Sequence, residues 1–342
     1  MSQAYYDAYR FIANVVSPFV SRDKILYQLT QHAPLEWEVV AKIASNHSIV
    51  QALYPEVIEK KLEGLMPDDF MSYINHMHAL NCKRNAMMRK QLIDAVLVIN
   101  NIGVKPLLMK GAAHLLLGTF SNISDRLMVD LDILVPSDEI KRVSNKLIAT
   151  GYKYSGDHMD FVHAHHHYPP LIKQGECAMI ELHRDLMVHE QQHIFPTEHA
   201  WANTIDITLP NMAEAIVLVP AYRIFHSFLH RYLVDKFYHL GHVEIRNLHE
   251  LARTQFIYSS NIDWDEMLAY AREHGVVKQL CANLYVASKF MNILGLDEVI
   301  NRSNIESMCY YIRVCSKLKY DWFDALDKKF ARRVKLLRSK FN

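Results

Sequence analysis

Two carboxylates, Asp130 and Asp132, stand two residues apart in the otherwise apolar run of residues 129–135. If this run is a β-strand, side chains alternate between its faces, so both carboxylates share the face opposite Leu131 and Ile133. Neighbouring carboxylates repel each other and are costly to remove from water unless a cation binds them. Oxygen ligands favour Mg²⁺ or Mn²⁺, and two such ions can activate an attacking oxygen and neutralise a triphosphate leaving group. The alternative is an edge strand with two exposed aspartates.

A second candidate site is the turn formed by Lys110, Gly111 and Ala112. It lies between a short apolar run and a helix-forming segment, a pattern that predicts a strand, a tight turn and a helix. Glycine lets the backbone approach a phosphate closely, the start of a helix offers free N–H groups, and Lys110 adds a positive charge. Arg126, four residues before Asp130, could contact a triphosphate or the carboxylates. The alternatives are an ordinary turn with a solvated lysine and a surface arginine.

The spacing of apolar residues predicts which elements position these side chains. Residues 1–100 repeat apolar side chains at helical spacing, and so does the chain from Met212 onward, where a helix is expected over Met212–Tyr232. Ser137 is expected to cap a helix through Ile148, and Asp263 to cap a later helix. The predicted strands are Pro106–Met109, Met128–Val135, Tyr152–Tyr154, Asp160–Tyr168 and Cys177–His183, the last two pairing as a hairpin.

We therefore expect an α+β fold, a mixed sheet with helices that is flanked by N- and C-terminal helical segments. The predicted division is an N-terminal helical region over residues 1–100, an α/β core over 101–208 and a C-terminal helical domain over 209–342. The chain has 342 residues, half of them apolar, which is enough to bury a sizeable core.

Three motifs together resemble a known family. They are Leu108–Ala112, Asp125–Val135 and Ile180–His183. These stretches are similar to the Leu-Lys-Gly turn, the Arg before an Asp-Ile-Asp strand, and the later Glu-Leu-His strand of the uncharacterised nucleotidyltransferase family, which has the DNA-polymerase-β-like fold. The similarity continues in Ile245–Ala252 and Ile262–Trp264, so the resemblance extends over roughly residues 85 to 295.

The resemblance implies both a fold and a reaction. The expected fold is the polymerase-β-like nucleotidyltransferase core. Asp130, Asp132 and a third carboxylate, Glu181, would coordinate two Mg²⁺ (or Mn²⁺) ions while an acceptor oxygen attacks the α-phosphate of a nucleoside triphosphate such as ATP and pyrophosphate leaves. Glu181 is either a metal ligand or a general base. The residues expected to bind the nucleotide are Lys110, Gly111, Ala112, Arg126 and His183.

The chain departs from the wider superfamily at Ala112, where no hydroxyl follows Gly111, so backbone groups and Lys110 must contact the phosphate. Similar Lys-Gly turns occur in nucleotidyltransferase toxins, which keeps RNA open as the acceptor. A small molecule or a protein hydroxyl is equally compatible with the carboxylates. A further alternative is a non-catalytic nucleotide-binding module that keeps the fold.

The chain has 20 histidines, and two patterns among them suggest other chemistry. His163, His165 and His167 alternate, so one strand face would carry three imidazoles that could contact phosphates, transfer protons or bind a transition metal. His189, Glu190 and His193 match the motif of zinc-dependent hydrolases. We expect this match to be accidental. The segment directly follows a predicted strand, which leaves little room for the helix that such a site needs.

The composition of the chain bears on its cellular compartment and its partners. The five cysteines form no paired motif, there is no apolar leader, and no run is long and apolar enough to cross a membrane, so we expect a cytoplasmic protein without a membrane partner. The net charge of +1 excludes no partner. Seven lysines and arginines within Lys328–Lys340 could form a basic helix that contacts nucleic acid, or only a solvated helix face.

Overall fold

The computed structural model describes residues 2–31, 34–155, 166–293, 295–296 and 304–319. Its N-terminal part is helical, as the sequence predicts, because apolar side chains recur there on one side of each helix. The helices are α1 (Ser2–Val16), α2 (Arg22–Gln31), α3 (Trp37–Asn46), α4 (Val50–Glu59) and the long α5 (Asp68–Asn100).

Strands and short helices alternate in the middle of the chain. In order they are β1 (Leu107–Leu108), α6 (Lys110–Leu117), β2 (Asp130–Leu134), α7 (Ile140–Ile148), β3 (Lys153–Tyr154), β4 (Leu171–Ile172), β5 (Met179–His183), α8 (Thr197–Ala202), β6 (Thr204–Thr208) and β7 (Glu214–Leu218). The seven strands form one mixed sheet in the order β3-β4-β5-β2-β1-β7-β6, so the predicted α+β architecture is confirmed.

The centre of the sheet is where the candidate residues lie. β2 pairs in parallel with β5 and antiparallel with β1, and β1 pairs in parallel with β7. The side chains of Leu131, Ile133, Ile180 and Leu182 are almost completely buried in the core cluster of the sheet. This burial fixes the register, because a slip of one residue would place these apolar side chains on the opposite face.

Helices follow the sheet. They are α9 (Pro220–Phe228), which continues as a π-helix over Leu229–Val234, then α10 (Phe237–Leu240), α11 (Ile245–Tyr258), α12 (Trp264–Glu273), α13 (Val277–Met291) and α14 (Asn304–Lys319). Asp263 caps α12 as predicted, since its carboxylate accepts a hydrogen bond from the backbone N–H of Glu266 at 2.9 Å.

Two predicted helices differ from those observed. Near the start of the helix expected over Met212–Tyr232, Glu214–Leu218 is strand β7, and the helix itself begins at Pro220. A short apolar run is compatible with either conformation, and here pairing with β1 and β6 decides for a strand. The second difference is at α7, which begins at Ile140 without a side-chain cap, so Ser137 lies in the preceding turn and the predicted cap is wrong.

The hairpin expected between Asp160–Tyr168 and Cys177–His183 lies partly outside the described residues, as do His163 and His165. Within the described part, His167 pairs with His183 in an antiparallel bridge, and Leu171–Ile172 is the strand that pairs with β5. The basic segment Lys328–Lys340 is also outside the described residues.

Within the described residues, the chain forms two compact units. The first draws on Met1–His78, Phe237–Ala252 and Cys281–Asn342, and the second on Ala79–Lys236 and Arg253–Leu280. The second unit contains the whole sheet. The division into three consecutive segments stays a prediction. None of the helices in the described part of the chain combines the length and the apolar character that crossing a membrane requires.

Candidate active site

Two neighbouring parallel strands place carboxylates side by side. In the register between β2 and β5, Asp132 lies directly opposite Glu181. Because side chains alternate along each strand, Asp130 shares the face of Asp132, and His183 shares the face of Glu181. Asp132 is almost completely buried, whereas the side chain of Glu181 is 20% exposed. The structure therefore brings together three predicted acids and one predicted histidine on one face of the sheet.

The turn after β1 brings Lys110 to the same place. The backbone N–H of Met109 donates to the carbonyl oxygen of Asp132 at 3.2 Å, so the chain leaves β1 beside this residue. Lys110 begins α6 with a positive φ of 45°, a conformation that costs free energy in a residue with a Cβ and is often found at functional sites. Its ammonium contacts Oδ1 of Asp132 at 2.9 Å. Lys110 is thus a direct partner of the carboxylate.

Gly111 allows a close approach between the turn and the loop before β2. A Cβ at this position would fall within 3.0 Å of Sδ of Met128 and Nη1 of Arg126. The next residue, Ala112, is completely buried in the core cluster of the sheet, so its methyl group packs in the core. The structure therefore places the Arg126 guanidinium against the Lys-Gly turn.

The loop before β2 is held by two buried asparagines that the sequence reasoning missed. Nδ2 of Asn85 donates to the carbonyl oxygens of Ile123 and Arg126 at 2.6 and 2.8 Å. Nδ2 of Asn81 donates to those of Ser124 and Arg126 at 2.6 and 3.2 Å. The available signal was the spacing of two asparagines four residues apart, which places them on the same side of α5.

The neighbouring ionisable groups of the site have pKa values that are shifted in different directions. Burial would raise the pKa of Asp132, but the Lys110 ammonium and a hydrogen bond from His183 outweigh burial and hold this pKa well below its usual range. Burial raises the pKa of Asp130, and the negative charge of Asp132 raises it further. Burial lowers the pKa of Lys110, but the charge of Asp132 reverses this effect and raises it overall. Asp132 and Lys110 therefore form an ion pair. The positive charges of Lys110 and Arg126 offset the effects of burial and repulsion on Asp130 only in part, so its pKa stays raised.

His183 contacts both carboxylates from a buried position. Its Nε2 lies 3.0 Å from Oδ1 of Asp132 and 3.9 Å from Oε2 of Glu181. Burial lowers the pKa of its imidazole to about 4, despite the opposing charge of Asp132, so the ring is neutral near pH 7. The rings of His166 and His167 lie 5.3 and 5.2 Å from it, between centroids.

One group of side chains in the described part of the chain has the donors and the spacing to hold a metal ion. It consists of Asp132, Glu181 and His183, whose ligand atoms all lie within 4.8 Å of one another. The sequence predicted the first two as ligands and placed His183 at the nucleotide. Asp130, the remaining predicted ligand, is next to Asp132 along the strand but is not in this group.

The zinc-hydrolase motif does not form a helical site. Residues His189–Gln191 are a single 3-10 turn, so His189 and His193 are not on successive turns of an α-helix. Glu190 and both histidines are exposed. This geometry agrees with the prediction that the match is accidental.

The comparisons with known proteins agree with the geometry of the sheet. Residues 33–292 match the model of a family described as an uncharacterised nucleotidyltransferase. The chain belongs to this family. The match begins well before residue 85, so this nucleotidyltransferase family also includes most of the helical segments that precede the sheet. Membership makes the chain a transferase with a nucleotide substrate. No curated protein matches the chain.

Proposed function

We propose that the chain transfers a nucleoside monophosphate from a nucleoside triphosphate to an acceptor and releases pyrophosphate. One observation carries the proposal: the parallel pairing that sets Asp132 beside Glu181, with the Lys110 ammonium on Asp132. In the reaction, an acceptor oxygen forms a bond to the α-phosphorus while the bond from this phosphorus to the oxygen of the β-phosphate breaks. The acceptor proton passes to a base.

The carboxylates fit divalent cations. Asp130, Asp132 and Glu181 would hold Mg²⁺ or Mn²⁺, and we propose two ions, because oxygen ligands suit both metals. The support comes from Asp130, whose pKa is raised by burial and by the charge of Asp132, a repulsion that a cation would relieve. When bound, the ions make the attacking oxygen more nucleophilic and neutralise the leaving pyrophosphate.

The turn and the loop supply positive charge for the triphosphate. Lys110 is one quarter exposed, so its ammonium can contact a phosphate near Asp132. Backbone N–H groups at Gly111 and Ala112 are at the first turn of α6, where a helix binds anions. Arg126, held against Gly111, adds a guanidinium with several donors in one plane. These groups orient the triphosphate along the carboxylates.

Glu181 is the best candidate to receive the acceptor proton if it does not bind a metal. It is the more exposed carboxylate of the neighbouring pair and can therefore meet an incoming hydroxyl, while Asp132 is enclosed by Lys110 and His183. We propose ATP as the first nucleotide to test and the cytoplasm as the compartment. A small molecule, a protein hydroxyl and an RNA end are the acceptor classes to compare, and the basic segment Lys328–Lys340 is the candidate contact for RNA.

The test is transfer of label from each of four nucleoside triphosphates, labelled at the α-phosphate, to pools of RNA, protein and metabolites. We expect Asp130→Asn and Asp132→Asn each to lower transfer by at least about a hundredfold, since each removes a charge that the reaction needs. The matched control is Asp206→Asn, which changes an aspartate exposed at the end of the sheet. Full activity in either site variant would overturn the proposed site.

Nucleotide binding without label transfer would favour one of the two alternative functions. If the protein binds a nucleotide but moves label to no acceptor, it is a nucleotide-binding module. If it contains one zinc ion per chain and hydrolyses a substrate without nucleotide, the metal-hydrolase alternative replaces the proposal despite the exposed 3-10 turn at His189–Gln191.

A further inference from the structure

The potential metal-binding group contains a nitrogen donor. His183 follows Glu181 by two residues on β5, and Asp132 is the register partner of Glu181 on β2. Two adjacent strands therefore direct two oxygens and one imidazole toward the same point, with all ligand atoms within 4.8 Å of one another. This is a different donor set from the three carboxylates that the sequence predicts.

His183 is placed and enclosed as a ligand would be. Its side chain is 1% exposed, and its Nε2 is within 4 Å of an oxygen of each carboxylate. Its Nδ1 has no hydrogen-bond partner among the described residues. No described residue donates a hydrogen bond to Nδ1, which would force the ring proton onto Nε2. If the proton moves to Nδ1, the lone pair of Nε2 points toward the two carboxylates.

We propose that His183 is a metal ligand and that the mixed site of Asp132, Glu181 and His183 prefers Mn²⁺ to Mg²⁺. Mg²⁺ favours oxygen ligands, whereas an imidazole adds affinity for transition metals. Asp130 stays available for a second ion or for the nucleotide complex. The inference rests on the proposed function only because both assign Asp132 and Glu181 to a metal.

A purely orienting histidine would give a different result. In that case the Nε2–H of His183 keeps its hydrogen bond to Asp132, holds this carboxylate in position and never contacts the metal. Removing such a histidine would weaken Mn²⁺ and Mg²⁺ binding by the same factor. A nitrogen ligand, in contrast, is detected directly in the magnetic spectrum of bound Mn²⁺ and alters the selectivity between the two metals.

The experiment uses the full chain and Mn²⁺ alone. Binding is followed by the loss of the free-ion electron paramagnetic resonance signal, and pulsed measurements then detect nitrogen coupled to the bound ion. We expect ¹⁴N coupling in the wild type, replaced by ¹⁵N coupling when the histidines are labelled. We expect His183→Gln to lose this coupling and to bind Mn²⁺ about tenfold or more weaker, with a much smaller change for Mg²⁺ measured by competition.

The matched controls are His166→Gln and His167→Gln, whose rings lie against His183 but outside the ligand group. Both should keep the nitrogen coupling and the wild-type preference for Mn²⁺. Should His183→Gln fail to fold, His183→Asn is the second variant, and we expect the same loss of nitrogen coupling in it.

Four outcomes would overturn the inference: no Mn²⁺ binding, bound Mn²⁺ without nitrogen coupling, coupling that survives in His183→Gln, or coupling lost in a control variant. These outcomes are separable from a failure of the proposed function, because the measurement contains no nucleotide and no acceptor. Label transfer with an all-oxygen metal site would keep the function and reject the histidine. Nitrogen coupling without label transfer would support His183 as a metal ligand and reject the proposed function.

Discussion

A single oxygen, Oδ1 of Asp132, contacts both the Lys110 ammonium and Nε2 of His183. The two contacts explain why the pKa of this buried carboxylate stays low when burial alone would raise it. A buried charge is tolerated only when it is paired in this way. At the scale of single residues, the site is therefore charged before any ligand binds.

Replacing Lys110 with Ala tests its contact with the triphosphate. We expect the nucleotide dissociation constant to rise about tenfold or more, because a charged hydrogen bond to phosphate is lost. Equilibrium binding of each nucleoside triphosphate measures this change, with the melting temperature recorded to confirm folding. Lys90→Ala is the control, since its side chain is 78% exposed in a surface pair with Asp94. Unchanged nucleotide affinity would remove Lys110 from the binding site.

Replacing Gly111 with Ala tests the close approach of the turn and the loop. The added methyl group would meet the flexible ends of Met128 and Arg126, so these side chains must move. We expect the free energy of nucleotide binding to change by more than the free energy of unfolding does. The control is Gly64→Ala, where a Cβ meets no atom within 4 Å. Equal nucleotide affinity in both variants would contradict the close approach as a requirement for binding.

At the scale of elements, α5 supports the loop that carries Arg126. Besides Asn81 and Asn85, Arg84 of the same helix donates a hydrogen bond to the carbonyl of Met128, close to the start of β2. Three polar side chains within five residues thus hold the backbone that leads into the Asp-x-Asp strand. Because loop carbonyls buried without partners are costly, these side chains determine the path of the loop.

We expect Asn85→Ala to lower the free energy of unfolding by about 1–3 kcal/mol, because the variant leaves the carbonyl of Ile123 without this donor. Nucleotide affinity should also fall, since the same amide holds the backbone of Arg126. Denaturant unfolding and nucleotide binding measure the two effects. The control, Asn145→Ala, changes an exposed asparagine of α7. Loss of stability without any loss of nucleotide affinity would restrict Asn85 to a structural role.

At the scale of the whole molecule, buried histidines make folding sensitive to acid. His47, in the first unit, is almost fully buried, and its Nδ1 lies 3.4 Å from the backbone N–H of Ile245, from which it accepts a hydrogen bond. Burial lowers its pKa from 6.5 to about 4. Between these two pH values the unfolded chain therefore binds more protons at this residue than the folded chain does. The contribution of His47 to the free energy of unfolding is present above pH 6.5 and decreases as the pH falls toward 4.

From this shift we expect His47 to account for roughly 2 kcal/mol of the stability lost between about pH 7 and pH 5. His47→Gln should reduce the pH-dependent loss by this amount, and we expect it to be less stable than the wild type at neutral pH. Denaturant unfolding at the two pH values measures the difference. His76→Gln, at an exposed position of α5, is the control. An unchanged pH dependence in His47→Gln would contradict this assignment.

The sequence predicted the sheet position of the carboxylates because alternation along a strand is a local property. Asp130 and Asp132 had to share a face if residues 129–135 were a strand, and the Lys-Gly turn had to follow a strand and begin a helix. The N-terminal helices and the cap at Asp263 were predictable for the same reason. The family resemblance then predicted Glu181 as the third acid, although its pairing with Asp132 required the fold.

Three features depend on contacts between residues that are distant in the sequence, and only the tertiary structure determined them. The run Glu214–Leu218 is a strand because β1 and β6 offer it hydrogen bonds, which its local pattern does not reveal. The position of His183 between two carboxylates follows from the parallel register of β2 and β5, and the support of Arg126 by α5 joins residues about 40 positions apart. Local spacing thus determined which side chains share a face, and the sheet register determined which of them meet.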